Sequence, residues 1–251
     1  MRHIPKSYPA PEALSVAPPE DASVIRRGVY AAPEVKRRLR ADQHGKCAYC
    51  ECRLNGDYGS VEHFRPKSGY ATESQPSAIQ TPGYHRLAYS WDNLLLSCST
   101  CNSSFKRNNF ALADESRRAV PGDDVSGESP LLINPAAESP QDFLTVHRHV
   151  AAPKPGLTEA DRRRADYTIS ILGLNSRPDL LENRLRVMAS HENAGRVRRI
   201  AFALLGKTPD IQFDATLLLA LADERLARLE SPEAEYSAMF INEDGGVSTE
   251  Y

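Results

Sequence analysis

Residues 46–51 read KCAYCE and residues 93–106 read NLLLSCSTCNSSFK. Each stretch holds a Cys-x-x-Cys pair, Cys47 with Cys50 and Cys98 with Cys101, and between the pairs lies VEHFRPKS with Glu62 and His63. In such a knuckle the backbone turns sharply enough for two thiolates to converge on one ion. Two knuckles supply the ligands of a tetrahedral zinc site with Zn–S bonds near ~2.3 Å, and four thiolates leave no open position, so a zinc held this way is structural. The stretch between the pairs is too long for a compact ribbon and must hold structure of its own. The Glu-His dipeptide falls there. Cys52 could replace Cys50, but Cys-x-Cys spacing makes a poorer knuckle, and a free thiol is expected.

The rest of the composition is that of a soluble globular protein: 251 residues, 41% hydrophobic and 25% charged, enough for one or two domains. No apolar run reaches the length of a membrane span, and MRHIPKSYPAPEAL lacks the apolar centre of a signal peptide. These features predict a cytoplasmic protein with no membrane role, and a reducing compartment suits thiolates held for metal. A net charge of -2 does not advertise nucleic acid, so the distribution of charge matters more. Arg26, Arg27, Lys36, Arg37, Arg38 and Arg40 precede the first knuckle, and Arg65, Lys67, Lys106 and Arg107 flank the motifs. Near these motifs phosphate contact is at least as good a reading as a solvated face. The C-terminal arginines, Arg162 to Arg164 and Arg196 to Arg199, read as solvated helix faces, with acids gathered at Glu233, Glu235, Glu243 and Asp244.

Residues 1–29 begin with a Pro-, Ala-, Ser- and Glu-rich run that predicts an extended, poorly ordered arm. Pro33 suits a first helical position and Gly45 a stop, predicting a helix to about His44. Val61 to Phe64 predicts a short strand, LLLS an apolar lead into the second knuckle, and Asn102 the start of a helix fading near Asn109. PGDDVSGESP, residues 121–130, reads as a linker. Beyond it LLINP and FLTVHRHV are short extended pieces. Helices follow: one capped by Thr158, one with Leu181, Leu185 and Met188 facing inward and continuing through Val197, Ile200 and Leu204, and one near residues 217–229. The predicted fold is α+β, mostly α: a small zinc-stabilised unit over 30–120 and a mainly helical C-terminal domain over 121–251. The latter is read as a partner-docking or regulatory domain, whose deletion from about residue 150 should preserve zinc content.

Phosphodiester hydrolysis needs a water that loses a proton, neutralisation of charge on phosphorus, and a stabilised leaving oxygen. His63 is the candidate base, since an imidazole near neutrality accepts that proton. Glu62 and the side-chain carbonyl of Asn102 offer oxygens to a hard ion such as Mg²⁺. Asn93 could hold the loop carrying His63 or orient the imidazole. Arg65, Lys67, Lys106 and Arg107 are candidate phosphate contacts.

With these residues in place, the span from Lys46 to about Phe110 resembles an HNH endonuclease, a ββα-metal core with an added four-Cys zinc site. The resemblance implies His63 as general base, Glu62 and Asn102 as ligands of catalytic Mg²⁺ or Mn²⁺, and Asn93 as the orienting residue. VEHFRPKSGY, YSWDNLLLSCSTCNSSFKRNNF, LLINP and ISILGLN together are similar to the HNH proteins found beside an ATPase in bacterial anti-phage systems of the Septu type, including retron-associated versions. That likeness implies a DNA nuclease held in a defence complex with an ATPase partner. Two alternatives stand beside it: an RNA (tRNA) nuclease, and a non-catalytic zinc-dependent module that binds nucleic acid or protein.

Overall fold

In the computed structural model, residues 1–55 and 59–241 are described; Glu243 and Asp244 lie outside that range. Strand β1, Ser60–His63, pairs antiparallel with β2, Leu94–Ser97, placing Glu62 opposite Leu95 and His63 opposite Leu94. β2 runs into the second knuckle and then a π-helix, Thr100–Lys106. This β-β-α order is the one the resemblance to an HNH endonuclease implies. The helix is wider than an α-helix: the Arg107 amide donates to the Asn102 carbonyl, five residues back, at 2.8 Å. Helix α1, Arg27–Tyr30, and α2, Pro33–Asp42, precede the first knuckle. α2 buries Val35 and Leu39, four apart on one face. From its end Gln43 clips onto β2, accepting from the Leu96 amide at 2.8 Å and donating to the Leu96 carbonyl at 2.7 Å. The Ala48 amide also reaches Leu96, so the first knuckle is built against the strand that leads to the second.

A second antiparallel pair, β3 (Leu144–His147) with β4 (Val150–Pro153), leads to helices α3 (Glu159–Ile171), α4 (Pro178–Leu204) and α5 (Pro209–Glu230). Thr158 caps α3 as expected, its hydroxyl accepting from the Asp161 amide at 3.1 Å. α4 and α5 form an antiparallel hairpin. The inward seam of α4 differs from the predicted one: it is Leu180, Arg184, His191, Ala194 and Ala201, while Leu185 and Ile200 face outward. Small residues let α5 approach closely. Arg184 is tolerated inside because it donates to the Leu174 carbonyl at 2.8 Å.

At both predicted boundaries the described residues pack across the join. The first 29 residues are not a loose arm. Trp91 Nε1 donates to the Ser7 carbonyl at 3.1 Å, the Lys6 ammonium donates to the Leu94 carbonyl at 2.6 Å, and Ile4 and Leu14 are buried. Short polar composition predicts disorder only when a segment has nothing apolar to bury, and this one buries Ile4 and Leu14 and is held by two hydrogen bonds. Nor does packing change at residue 120. Leu131, Leu132 and Ile133 thread through the interior fully buried, and Leu172, Leu174, Leu180 and Tyr236 share one apolar cluster with both knuckles. Gly173 seals the join at φ +58°, where an added Cβ would stand 2.0 Å from the Phe105 ring of the π-helix. A chain cut after residue 150 is therefore expected to lose its zinc and its cooperative melting transition together, measured by metal analysis and circular dichroism. Retention of zinc by that fragment would restore the two-domain reading.

Candidate functional site

The four sulfurs of Cys47, Cys50, Cys98 and Cys101 lie within 4.8 Å of one another, all on buried residues. Cys50 Sγ and Cys98 Sγ are 3.8 Å apart, which matches the edge of a tetrahedron with bonds of ~2.3 Å. The donor set and its size therefore fit zinc. Arg177, at the entrance of α4, points its Nη1 at Cys101 Sγ, 3.2 Å away. Burial opposes the charge on Arg177, but the neighbouring cysteine sulfurs outweigh it and hold its pKa above the ordinary value. A four-thiolate zinc carries net negative charge, and a buried guanidinium beside it offsets that charge. Cys52 stands outside the tetrad.

Next to this cluster a polar cavity of about 330 Å³ is lined by Glu62, His63 and Asn102, with Arg27, Lys36, Lys67 and Arg107 around it. β1 delivers Glu62 and His63; the π-helix delivers Asn102, the residue directly after Cys101 of the four-cysteine cluster. His63 is buried and its Nε2 lies 3.0 Å from the Ala88 carbonyl. A carbonyl only accepts, so Nε2 carries the proton and Nδ1 of the neutral ring is left as acceptor. Burial, reinforced by Lys67, lowers the His63 pKa to about 3. Tyr30 holds the ring from the side, edge-on with centroids 4.7 Å apart.

Asn93 is buried and pins the turn after His63. Its Oδ1 accepts from the Arg65 amide at 2.7 Å, and its Nδ2 donates to the Arg65 and Leu87 carbonyls at 3.1 and 3.2 Å. Of the two roles predicted for Asn93, this geometry is that of holding the loop.

Two of the four predicted phosphate contacts do not face the cavity. Arg65 turns inward to Glu128, Nε to Oε2 at 2.9 Å, beside the rings of Phe64, Tyr84 and Phe110. Lys106 is completely buried: its ammonium sits 2.5 Å from Glu62 Oε1 and 2.9 Å from the His63 carbonyl. The sequence places both lysine and arginine beside the motifs, but linear proximity cannot say which way a side chain points. Arg27 and Lys36 take their place on the cavity wall, together with Lys67 and Arg107. They belong to a basic run visible in the sequence, though nothing there singles out these two. Tyr30 carried no sequence signal.

Burial raises the Glu62 pKa, and Lys106 opposes that rise. Replacing Lys106 by methionine should leave a buried carboxylate without its partner. The expected cost is about 3–5 kcal/mol of stability, read from chemical denaturation, with zinc content retained. A variant as stable as the parent would show that the pair contributes nothing.

No family model matches the chain. Among curated proteins it is 37% identical to the Septu protein PtuB of Bacillus mycoides over 161 residues, 63% of this chain and 52% of that protein. It is 27% identical to the Septu protein PtuB of Bacillus thuringiensis over 161 residues, 63% of this chain and 48% of that one. A Septu protein PtuA of Bacillus mycoides is 26% identical over 151 residues, 60% of this chain but 20% of that protein. The matched region spans about half the length of the two PtuB proteins. Among the described residues no helix is long and apolar enough to cross a membrane. Over the matched residues this chain is thus similar to two proteins named Septu protein PtuB, and its four-cysteine cluster fits zinc.

Proposed function

We propose that this protein is a metal-dependent HNH-type endonuclease that hydrolyses DNA phosphodiester bonds, acting as the nuclease of an anti-phage complex with an ATPase partner. The observation that carries this reading is the convergence of Glu62, His63 and Asn102 on one cavity walled by four basic side chains. A cavity with that wall suits a phosphodiester backbone. His63 takes the proton of the attacking water on Nδ1, while its Nε2 proton stays fixed on Ala88. The charge this creates on the ring is offset by the negative charge of the substrate phosphate beside it. Glu62 and Asn102 offer a carboxylate and an amide oxygen, donors that fit Mg²⁺ or Mn²⁺. Such an ion, when bound, would supply Lewis-acid polarisation of the phosphate. Lys106 engages one Glu62 oxygen and leaves the other for this purpose. Asn93 keeps the loop in place, and the zinc cluster holds Asn102 in register with β1.

The likeness to proteins named PtuB and PtuA supports a place in a Septu system with a PtuA-type partner. One observation favours a second reading. The Glu62–Lys106 pair would also suit a purely structural carboxylate, as in a module that binds nucleic acid without cutting it.

Supercoiled plasmid and single-stranded RNA, each incubated with the purified protein in Mg²⁺ or in EDTA, alone and with the ATPase partner, separate these readings. Mg²⁺-dependent nicking of plasmid is expected. Cleavage of RNA alone would move the substrate to RNA, and metal-independent binding with no cleavage under either partner condition would leave the binding module.

A further inference from the structure

Helix α5 is apolar on two sides. Ala215, Ala222 and Leu226 face α4 and are buried, whereas Phe213, Leu217 and Leu221 stand on the opposite side at 72%, 52% and 53% exposure. A helix with one neighbour needs one apolar stripe. The second stripe, with Leu218 and Ile211 beside it, forms an exposed apolar surface of the kind that marks an interface.

The residues along that stripe say what covers it. At ~3.6 residues per turn, Asp210, Leu217, Leu221 and Arg228 fall on one line down the outer face, and all four are exposed. Their positions are symmetric about Leu219, with acid at one end, base at the other and leucines between. A second α5 laid antiparallel across the first, with the two-fold axis at Leu219, puts Leu217 against the second copy's Leu221. It also puts Asp210 against the second copy's Arg228. On one flank of the stripe Asp214 comes within one residue's rise of the second copy's Arg225, again acid to base. Each contact occurs twice by symmetry, as an isologous interface requires. A parallel arrangement would instead bring Asp210 to Asp210 and Arg228 to Arg228.

We infer that the outer face of α5 is a self-association surface, through which two copies of this chain pair by antiparallel packing of α5. The charges that serve the contact are on the surface already: Arg228 is bonded to Glu224 at 2.6 Å and Arg225 to the Ser190 hydroxyl at 2.9 Å, both at the rim. Neither is buried by its own chain. The pairing lies on α5 and does not depend on the nuclease reading.

Sedimentation velocity of the full chain over a concentration series tests this. The wild type should run as a dimer. Leu217→Glu with Leu221→Glu, both at exposed positions, should weaken association by at least ~100-fold with unchanged zinc content and helicity. Asp210→Arg alone and Arg228→Asp alone should each weaken it, and the double exchange Asp210→Arg with Arg228→Asp should restore it. A wild type that stays monomeric throughout would overturn the inference, including the case in which this face binds only a different protein. So would a dimer indifferent to the leucine changes. Dimerisation lost in the leucine variant but not recovered by the double charge exchange would overturn the antiparallel register.

Discussion

A His63→Ala protein should nick plasmid about 10²–10⁴-fold more slowly than wild type, the range associated with removing a positioned general base. The size follows from the local geometry. The Ala88 carbonyl fixes the Nε2 proton at 3.0 Å, Tyr30 braces the ring, and burial holds the imidazole neutral, so Nδ1 is kept ready to accept. No other described histidine lines the cavity, and the remaining polar lining groups are cations, hydroxyls, amides and Glu62. Because His63 is buried, alanine also removes packing. His63→Gln separates the two effects: it keeps a hydrogen-bond donor toward Ala88 and much of the volume but cannot take the proton at neutral pH. Both variants should lose nicking while binding DNA with near-normal affinity in a gel-shift titration. Wild-type rates in either would remove His63 as the base and leave the cavity as a binding surface.

Cys101→Ser should have the largest effect on the fold itself. Structural zinc sites contribute apparent binding free energies of roughly 10–16 kcal/mol, against a total stability of about 5–15 kcal/mol for a domain. Losing one ligand thus threatens the whole margin. Cys101 also anchors Arg177 and starts the turn that bears Asn102, Phe105 and Lys106, so its loss reaches the apolar core through Gly173 and the site through Glu62. The expected protein has no stoichiometric zinc, no near-ultraviolet dichroism and no cooperative melt. Cys52→Ser, outside the tetrad, should keep one zinc per chain and melt normally. Equal behaviour of the two variants would mean that the tetrad is wrongly assigned.

The two Cys-x-x-Cys knuckles, the short strand β1 and the Thr158 cap were legible because each is a local matter. A knuckle, a short strand and a cap depend on residues within a few positions of one another, and their spacing carries the geometry. The inward turn of Arg65 and Lys106 was not legible, because it depends on Glu128 and Glu62, groups brought near only by the tertiary fold. Packing of the first residues onto Trp91 and β2 was hidden for the same reason: a Pro- and Ala-rich segment has weak local preference, and its order comes from contacts some 85 positions away. The inward seam of α4 misled because Arg184 and His191 look polar in sequence. They are admitted to the interior by the Leu174 carbonyl and the Glu230 carboxylate, which no periodicity of apolar residues reveals.

Cys101 and Asn102 are successive residues, one in the zinc tetrad and the next on the cavity wall. On the proposed reading, adjacent links of one backbone serve two ions of very different exchange behaviour. Chelation should then act on two timescales. A weakly held, solvent-accessible ion leaves within the mixing time, and readdition of Mg²⁺ restores activity at once. The buried zinc leaves slowly, drags Asn102 out of place, and after that no amount of Mg²⁺ recovers the enzyme. Time of exposure to chelator, more than its concentration, would decide whether the loss is reversible.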